Sequence, residues 1–227
     1  MDWKVTEILD ALRAASYVYD AFRQAVRPGA CESDLQAALA GACAGREIGF
    51  DLLSGPRTAE VEGGATLRML ERGDALILDL CLRHGEHWCD VCRTYFLGKT
   101  DPVQQATYEV VLDCFEVVAH QLRDGASARE VYHTARGLLD DKGLAGWMRH
   151  HTGHGIGHTP FEAPVEAPES EDIIRAGDVI TVEIGIYCAG AFGIRVEDDF
   201  LITLDGAKNL WNYPKTLADV TLPWPEA

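Results

Sequence analysis

The sequence predicts an α+β domain in which one curved sheet, assembled from two similar halves, carries its helices on the outside. Three observations predict it: a motif that occurs twice, carboxylates set inside apolar strands, and a pair of helical patterns ahead of each copy. Gly73-Asp74-Ala75-Leu76-Ile77-Leu78-Asp79 and Gly177-Asp178-Val179-Ile180-Thr181-Val182-Glu183 each place a carboxylate five residues after a Gly-Asp turn. A second strand with a further carboxylate follows each copy, Asp90 in the first half and Glu197 in the second, so the order helix-helix-strand-strand occurs twice. Strands with an apolar face join into a sheet, and amphipathic helices cover it.

Each element has its own signal. Val5, Ile8, Leu9, Leu12, Tyr19, Phe22 and Val26 recur at helical spacing, and Pro28-Gly29 stops them after about five turns. A second helix opens near Glu32 on Leu35, Ala38, Leu39 and Ala42, and the stretch from Gly45 to Gly49 ends it. Ser54 to Thr66 reads as a loop. Ala75 to Cys81 and His87 to Phe96 read as strands joined by a turn at Gly85. Asp101-Pro102 with Gln104 supplies an N-cap, a first-turn proline and a capping partner for a helix whose inner face is Val111, Cys114, Phe115, Val118 and Leu122, closed by Gly125. Ser127 to Glu130 is a capping box for another helix, which Gly143 ends. Strands resume at Val179 and at Ile194.

Composition narrows the function classes. A chain of 227 residues, 47% of them hydrophobic, can bury one core without disulfide staples, and a single domain over residues 1–227 is expected. The 20 Lys+Arg against 36 Asp+Glu give a formal charge of −16, which argues against a nucleic-acid or anionic-membrane binder, whose footprint is basic. No apolar run approaches the roughly 18 residues of a membrane span. Met1-Asp2-Trp3-Lys4 leads into an amphipathic pattern with no signal-peptide character. Seven scattered cysteines read as reduced core thiols, so a cytoplasmic location is expected. Cys89 and Cys92 point to opposite faces of a strand and do not form a redox pair. His84 and His87 read as turn or surface residues.

The strand carboxylates carry the chemistry. A buried carboxylate is costly unless it is paired or binds a metal. Two nearby cations, Arg93 and Arg195, cannot neutralise four carboxylates, whereas metal ions can. Arg149-His150-His151-Thr152-Gly153-His154-Gly155-Ile156-Gly157-His158 offers imidazole, with glycines that let the backbone approach closely; His150 and His151 are explained as a loop leading to one ligand histidine. Oxygen-rich sites with one imidazole suit Mn, Co, Fe or Zn, and bridging carboxylates imply two ions about 3.5–4 Å apart.

From about Pro28-Gly29 to Pro214 these residues resemble the pita-bread metallopeptidases, which include prolidase, aminopeptidase P and methionine aminopeptidase, and the related non-peptidase creatinase. The family's ligand set of Asp, Asp, His, Glu and Glu maps onto Asp79, Asp90, His154, Glu183 and Glu197. The intervals of 11 residues from Asp79 to Asp90, 29 from His154 to Glu183 and 14 from Glu183 to Glu197 resemble the prolidase and aminopeptidase P branch. So do Ser54-Gly55-Pro56-Arg57, Gly153-His154-Gly155-Ile156-Gly157 and Gly193-Ile194-Arg195-Val196-Glu197-Asp198.

The resemblance implies a pita-bread fold and two divalent ions (Mn, Co, Zn or Fe). Asp79 would serve one ion, His154 and Glu183 mainly the other, and Asp90 and Glu197 both, with Glu183 also moving the proton of the attacking water. It implies a hydrolase of short, proline-containing peptides. The alternatives are hydrolysis of a small non-peptide C–N substrate, as in creatinase-like relatives, and a catalytically impaired metal-binding homologue. Arg195 is expected to balance charge behind the ligands. Two positions depart from the family pattern: Glu62 and Phe161 stand where active peptidases usually carry histidines that contact substrate, each worth roughly 2–4 kcal/mol of transition-state stabilisation. Glu62 is expected either to meet a cationic substrate group or to occupy the site itself, and His158 is the nearest substitute imidazole. The prolidase-type N-terminal domain is not expected in this chain, which points to a different or smaller substrate. Family members often form dimers, so a homodimer is one expectation.

Overall fold

The two copies of the repeated motif sit in two long antiparallel hairpins. The computed structural model describes residues 3–226; Met1 and Asp2, at the start of the N-terminal stretch read above, lie outside the described residues. In chain order the elements are α1 (Trp3–Ala25), α2 (Glu32–Ala42), β1 (Ile48–Ser54), a 3-10 turn (Gly55–Glu60), β2 (Ala75–His84), β3 (His87–Leu97), α3 (Pro102–Gln121) and α4 (Ala128–Asp141). A second short 3-10 turn (Ala145–Trp147) leads to β4 (His154–Gly155), β5 (Glu162–Val165), β6 (Val179–Cys188), β7 (Phe192–Thr203), β8 (Gly206–Asn209), α5 (Leu217–Val220) and β9 (Thr221–Leu222). The sheet order is β1-β2-β3-β7-β6-β4-β5, with β8 beside β7 and β9 parallel to β3. The halves join where Cys92 on β3 lies opposite Glu197 on β7. Among the described residues no helix is long and apolar enough to cross a membrane.

Period-two alternation sorts each central strand into two faces. Leu76, Leu78 and Leu80 of β2, Cys89 and Val91 of β3, Ile180 and Val182 of β6, and Ile194 and Val196 of β7 enter the main core under the helices. The alternate residues, Asp79, Asp90, Glu183, Arg195 and Glu197, are left on the other face. On α1, Ile8, Leu12, Ala15, Val18, Tyr19 and Phe22 are buried at helical spacing against the first hairpin. The Tyr19 hydroxyl lies 2.8 Å from the Leu78 carbonyl and 2.7 Å from that of Val91, fastening the helix to both strands. On α3, Tyr108, Val111, Cys114, Phe115 and Val118 cover the second half in the same way. Its Asp101 cap accepts from the amides of Val103 and Gln104, as the sequence implies, and Ser127 caps α4 through the Glu130 amide.

Several expectations change. The first helix runs over 23 residues, more than six turns at 3.6 residues each. The stretch from Gly45 onward, read as the end of a helix, leads into β1. This strand lies at the sheet edge and is half-buried at its start, so it lacks the alternation that marks a strand in sequence. The following loop opens as a 3-10 turn, and the second strand of the second hairpin starts at Phe192, before Ile194. His87 is no surface residue: it is 2% exposed, and its Nδ1 lies 2.8 Å from Glu7 of α1. Cys89 and Cys92 do face opposite ways, the first in the main core and the second in a small cluster with Ile77 and Tyr187. All seven thiols are free.

The segment from Ser54 to Thr66 is held by one buried carboxylate. Glu32, fully buried at the start of α2, accepts from the amide and hydroxyl of Ser54 at 2.8 and 2.7 Å, and from those of Thr66 at 2.8 and 2.6 Å; it also pairs with Arg57. Glu32→Ala strands these donors, and the expected loss is about 3–5 kcal/mol in urea unfolding. A loss under about 1 kcal/mol would show that the segment is held by other contacts.

Candidate metal centre

Antiparallel register brings the strand carboxylates together. Asp79 lies opposite Cys92, Cys92 opposite Glu197, and Glu197 opposite Glu183, so three carboxylates share one row across four strands. Asp90 stands two residues from Cys92 on the same face of β3. His154 comes from the short β4, where glycine permits tight packing: a Cβ on Gly153 would meet the Thr181 carbonyl at 2.1 Å, and one on Gly155 the Ala163 carbonyl at 2.4 Å. The five expected ligands therefore come from five strands and converge.

Donor atoms of Asp90, His154 and Glu197 lie within 4.8 Å of one another, as do those of Asp79, Glu183 and Glu197, and Glu197 belongs to both groups. His154 Nε2 is 3.7 Å from Asp90 and 3.8 Å from Glu197. All five side chains line one cavity of about 310 Å³, together with Phe50 and Asp51 of β1, Cys81, His151 and Arg195.

Burial dominates the electrostatics. It pushes the Asp90 and Glu197 carboxyls well above the usual range, with repulsion from their neighbours adding to the shift. Asp79 is raised to about 6, because burial outweighs the nearby Arg195 guanidinium. Burial would raise Glu183 as well, but His150, Arg195, His151 and His154 together hold it down to about 2.

Arg195 is the one guanidinium among the cavity-lining residues. It pairs with Asp79, lies 3.5 Å from Glu183, and donates through Nε to the Tyr187 hydroxyl at 2.7 Å and through Nη2 to the Val61 carbonyl. Val61 holds φ at +76°, a strained value for a β-branched residue. Arg93, the other candidate cation, points away from the cavity into a buried pair with Asp198 at 2.7 Å.

One guanidinium against five lining carboxyl groups, Asp51 included, leaves the centre short of positive charge. Asp90 Oδ1 and Glu197 Oε1 are buried with no hydrogen-bond partner. Unpartnered carboxyl oxygens beside one imidazole fit divalent cations, which would favour their ionised form.

The remaining expected site residues lie elsewhere. Glu62 is exposed in the bend after Val61 and does not line the cavity. His158 is exposed at the β2–β3 turn, stacked 4.4 Å from His87. Phe161 is 51% exposed, with its ring 4.5 Å from that of His154. Two residues read as mere loop join the centre instead: His150 Nδ1 is 3.6 Å and His151 Nδ1 3.3 Å from Glu183. Their adjacency to His154 was visible in the sequence, but the direction of their rings was not. Cys81 shares the face of Asp79 by simple alternation, a signal the sequence did contain.

Comparison with known proteins gives a consistent picture. The model of metallopeptidase family M24 matches residues 6–204. The Xaa-Pro dipeptidase of Pyrococcus horikoshii is 34% identical over 163 residues, covering 71% of this chain and 46% of that protein. An Xaa-Pro dipeptidase from Bacillus anthracis superposes with a TM-score of 0.92 at 28% identity, over 98% of this chain and 63% of the other. Dipeptidase PepE from Mycobacterium ulcerans gives 0.92 at 29%, over 98% and 61%. The chain thus spans about half to three-fifths of the length of these relatives, and its fold is the pita-bread fold of the prolidases.

Next to the centre lies one more buried acid. Glu166 is fully buried, accepts from the Thr152 hydroxyl at 3.0 Å, and leaves Oε1 without a partner. Burial raises its pKa to about 8. Between about pH 4.5 and 8 the folded protein keeps this proton while the unfolded chain releases it, so stability falls as pH rises, by up to about 1.4 kcal/mol per unit. Glu166→Gln is expected to remove that component from the slope of unfolding free energy against pH; identical slopes would place the titration on another group.

Proposed function

The chain belongs to metallopeptidase family M24, and on that premise we propose that it is a metal-dependent peptidase of the prolidase type, acting on short peptides with proline after the scissile bond. The observation that carries this reading is the pair of overlapping donor groups sharing Glu197, beside buried oxygens that lack partners. It calls for two divalent ions, drawn from Mn, Co, Zn or Fe, with Asp79, Asp90, His154, Glu183 and Glu197 as ligands. Bound there, the ions would supply Lewis-acid polarisation of the carbonyl and water activated at neutral pH.

The chain's own residues do the rest. Glu183 accepts the water's proton and returns it to the leaving nitrogen. Arg195, fixed by Tyr187 and Val61, holds Asp79 in place from behind. A cavity of about 310 Å³ suits a dipeptide better than a long chain. Glu62, exposed and outside the cavity lining, and His158, exposed against His87, have no part in this mechanism. Seven free thiols support a reducing compartment such as the cytoplasm. Phe161, standing against the His154 ring where active peptidases of the family usually carry a histidine, supports one second reading, hydrolysis of a C–N bond in a small non-peptide substrate.

The test is elemental analysis of protein reloaded with Mn, Co or Zn, followed by assay on Xaa-Pro and other dipeptides. Two equivalents with Xaa-Pro cleavage are expected. Two equivalents without peptide cleavage would move the reading to the small non-peptide substrate, and no bound metal would overturn both. Because Glu197 belongs to both donor groups, Glu197→Gln is expected to lower metal content below one equivalent and kcat/KM by at least about 1000-fold. Full metal content in that variant would remove Glu197 from the ligand set.

A further inference from the structure

The cavity offers a substrate very few hydrogen-bond donors. Its carboxylates accept only, and His154 is a ligand in the proposed function. Arg195 spends three of its five N–H donors on Tyr187, Asp79 and Val61 and lies 3.5 Å from Glu183. Asp51 accepts from the Gly63 amide at 2.8 Å, and the Cys81 thiol, a weak donor, lies against Asp90. His150, at the rear, uses both ring nitrogens, one on the Tyr187 hydroxyl at 2.7 Å and the other on the His151 carbonyl at 2.6 Å.

His151 is the exception. Its ring lines the cavity with 23% of the side chain exposed. Its Nδ1 is buried 3.3 Å from Glu183 without an aligned hydrogen bond, which leaves Nε2, held by no protein partner, as the nitrogen the ring can offer the cavity. The ring abuts those of His154 at 5.2 Å and Phe161 at 5.3 Å, which are themselves in contact at 4.5 Å, so it cannot swing toward them.

Resting on the peptidase reading, we propose that His151 is a substrate-binding catalytic residue whose imidazole N–H meets the carbonyl oxygen of the scissile amide as that oxygen gains negative charge. A donor aimed at developing charge binds the transition state more tightly than the substrate, and losing one typically lowers kcat by 100- to 1000-fold. The proximity of Phe161 adds a specific consequence: an imidazole placed at position 161 reaches the same space.

The experiment uses metal-loaded protein and four chains: wild type, His151→Ala, His151→Gln and His151→Ala with Phe161→His. For each, metal content, melting temperature, kcat and KM on an alanyl-proline dipeptide are measured. So is the affinity for a phosphinic dipeptide analogue, in which a tetrahedral phosphinate replaces the amide. His151→Ala is expected to keep its metal, its melting temperature and, within about 3-fold, its KM, while kcat and analogue affinity fall about 100-fold or more. His151→Gln, which retains an N–H donor, should lose less, and Phe161→His should recover at least about 10-fold of kcat in the alanine background. Unchanged kcat and analogue affinity in His151→Ala would overturn the proposal while leaving the peptidase reading intact. Loss of metal together with activity would also overturn it, by making the ring a ligand. A wild type that neither cleaves the dipeptide nor binds the analogue would refute the peptidase reading and the role of His151 with it.

Discussion

Four carboxylates on one face of a closely packed sheet repel one another and lose their hydration, and much of the structure answers that one constraint. Three of them stand in a single cross-strand row and the fourth one row away, with their backbone positions set by strand register. The cavity supplies one guanidinium, itself immobilised by a buried tyrosine and a strained backbone carbonyl. A second arginine at the same seam faces the other way, where it neutralises Asp198. The face is therefore built with an unmet demand for positive charge, which cations fill better than further side chains could.

The opposite face supplies the rigidity that such a site requires. Alternate residues of the same strands form the main core beneath α1 and α3. A carboxylate can be held against its neighbours because the leucines and valines beside it in sequence are locked on the far side. The fully buried Glu32 gives the same service to the segment carrying Val61, and through it to Arg195.

Much of this was legible in the sequence, because periodicity and spacing are local signals. The short apolar run from Ala75 to Cys81 gives a strand, the repeat of Gly-Asp and a carboxylate gives two halves, and five residues at family intervals give the expected ligand set. What escaped depends on partners distant in sequence. His87 is buried because Glu7, eighty residues earlier, reaches it. The β1 strand lies at an edge and shows no clean alternation, so Phe50 and Asp51 could not be placed at the cavity. His150 and His151 were visible beside His154, but only the fold turns their rings toward Glu183.

The seam between β3 and β7 has a further meaning. Asp79 and Asp90 belong to the first hairpin, and His154, Glu183 and Glu197 to the second half, so neither half alone owns a complete set of donors. Each half can form its own hairpin and helix layer from nearby contacts, whereas the Cys92–Glu197 pairing closes a loop of about a hundred residues and is entropically the more demanding event. Metal capture through the proposed ligands would thereby be confined to chains that have completed this long-range pairing. On that reading an ion bound there would report completed assembly, since chains with their donors still apart lack the site.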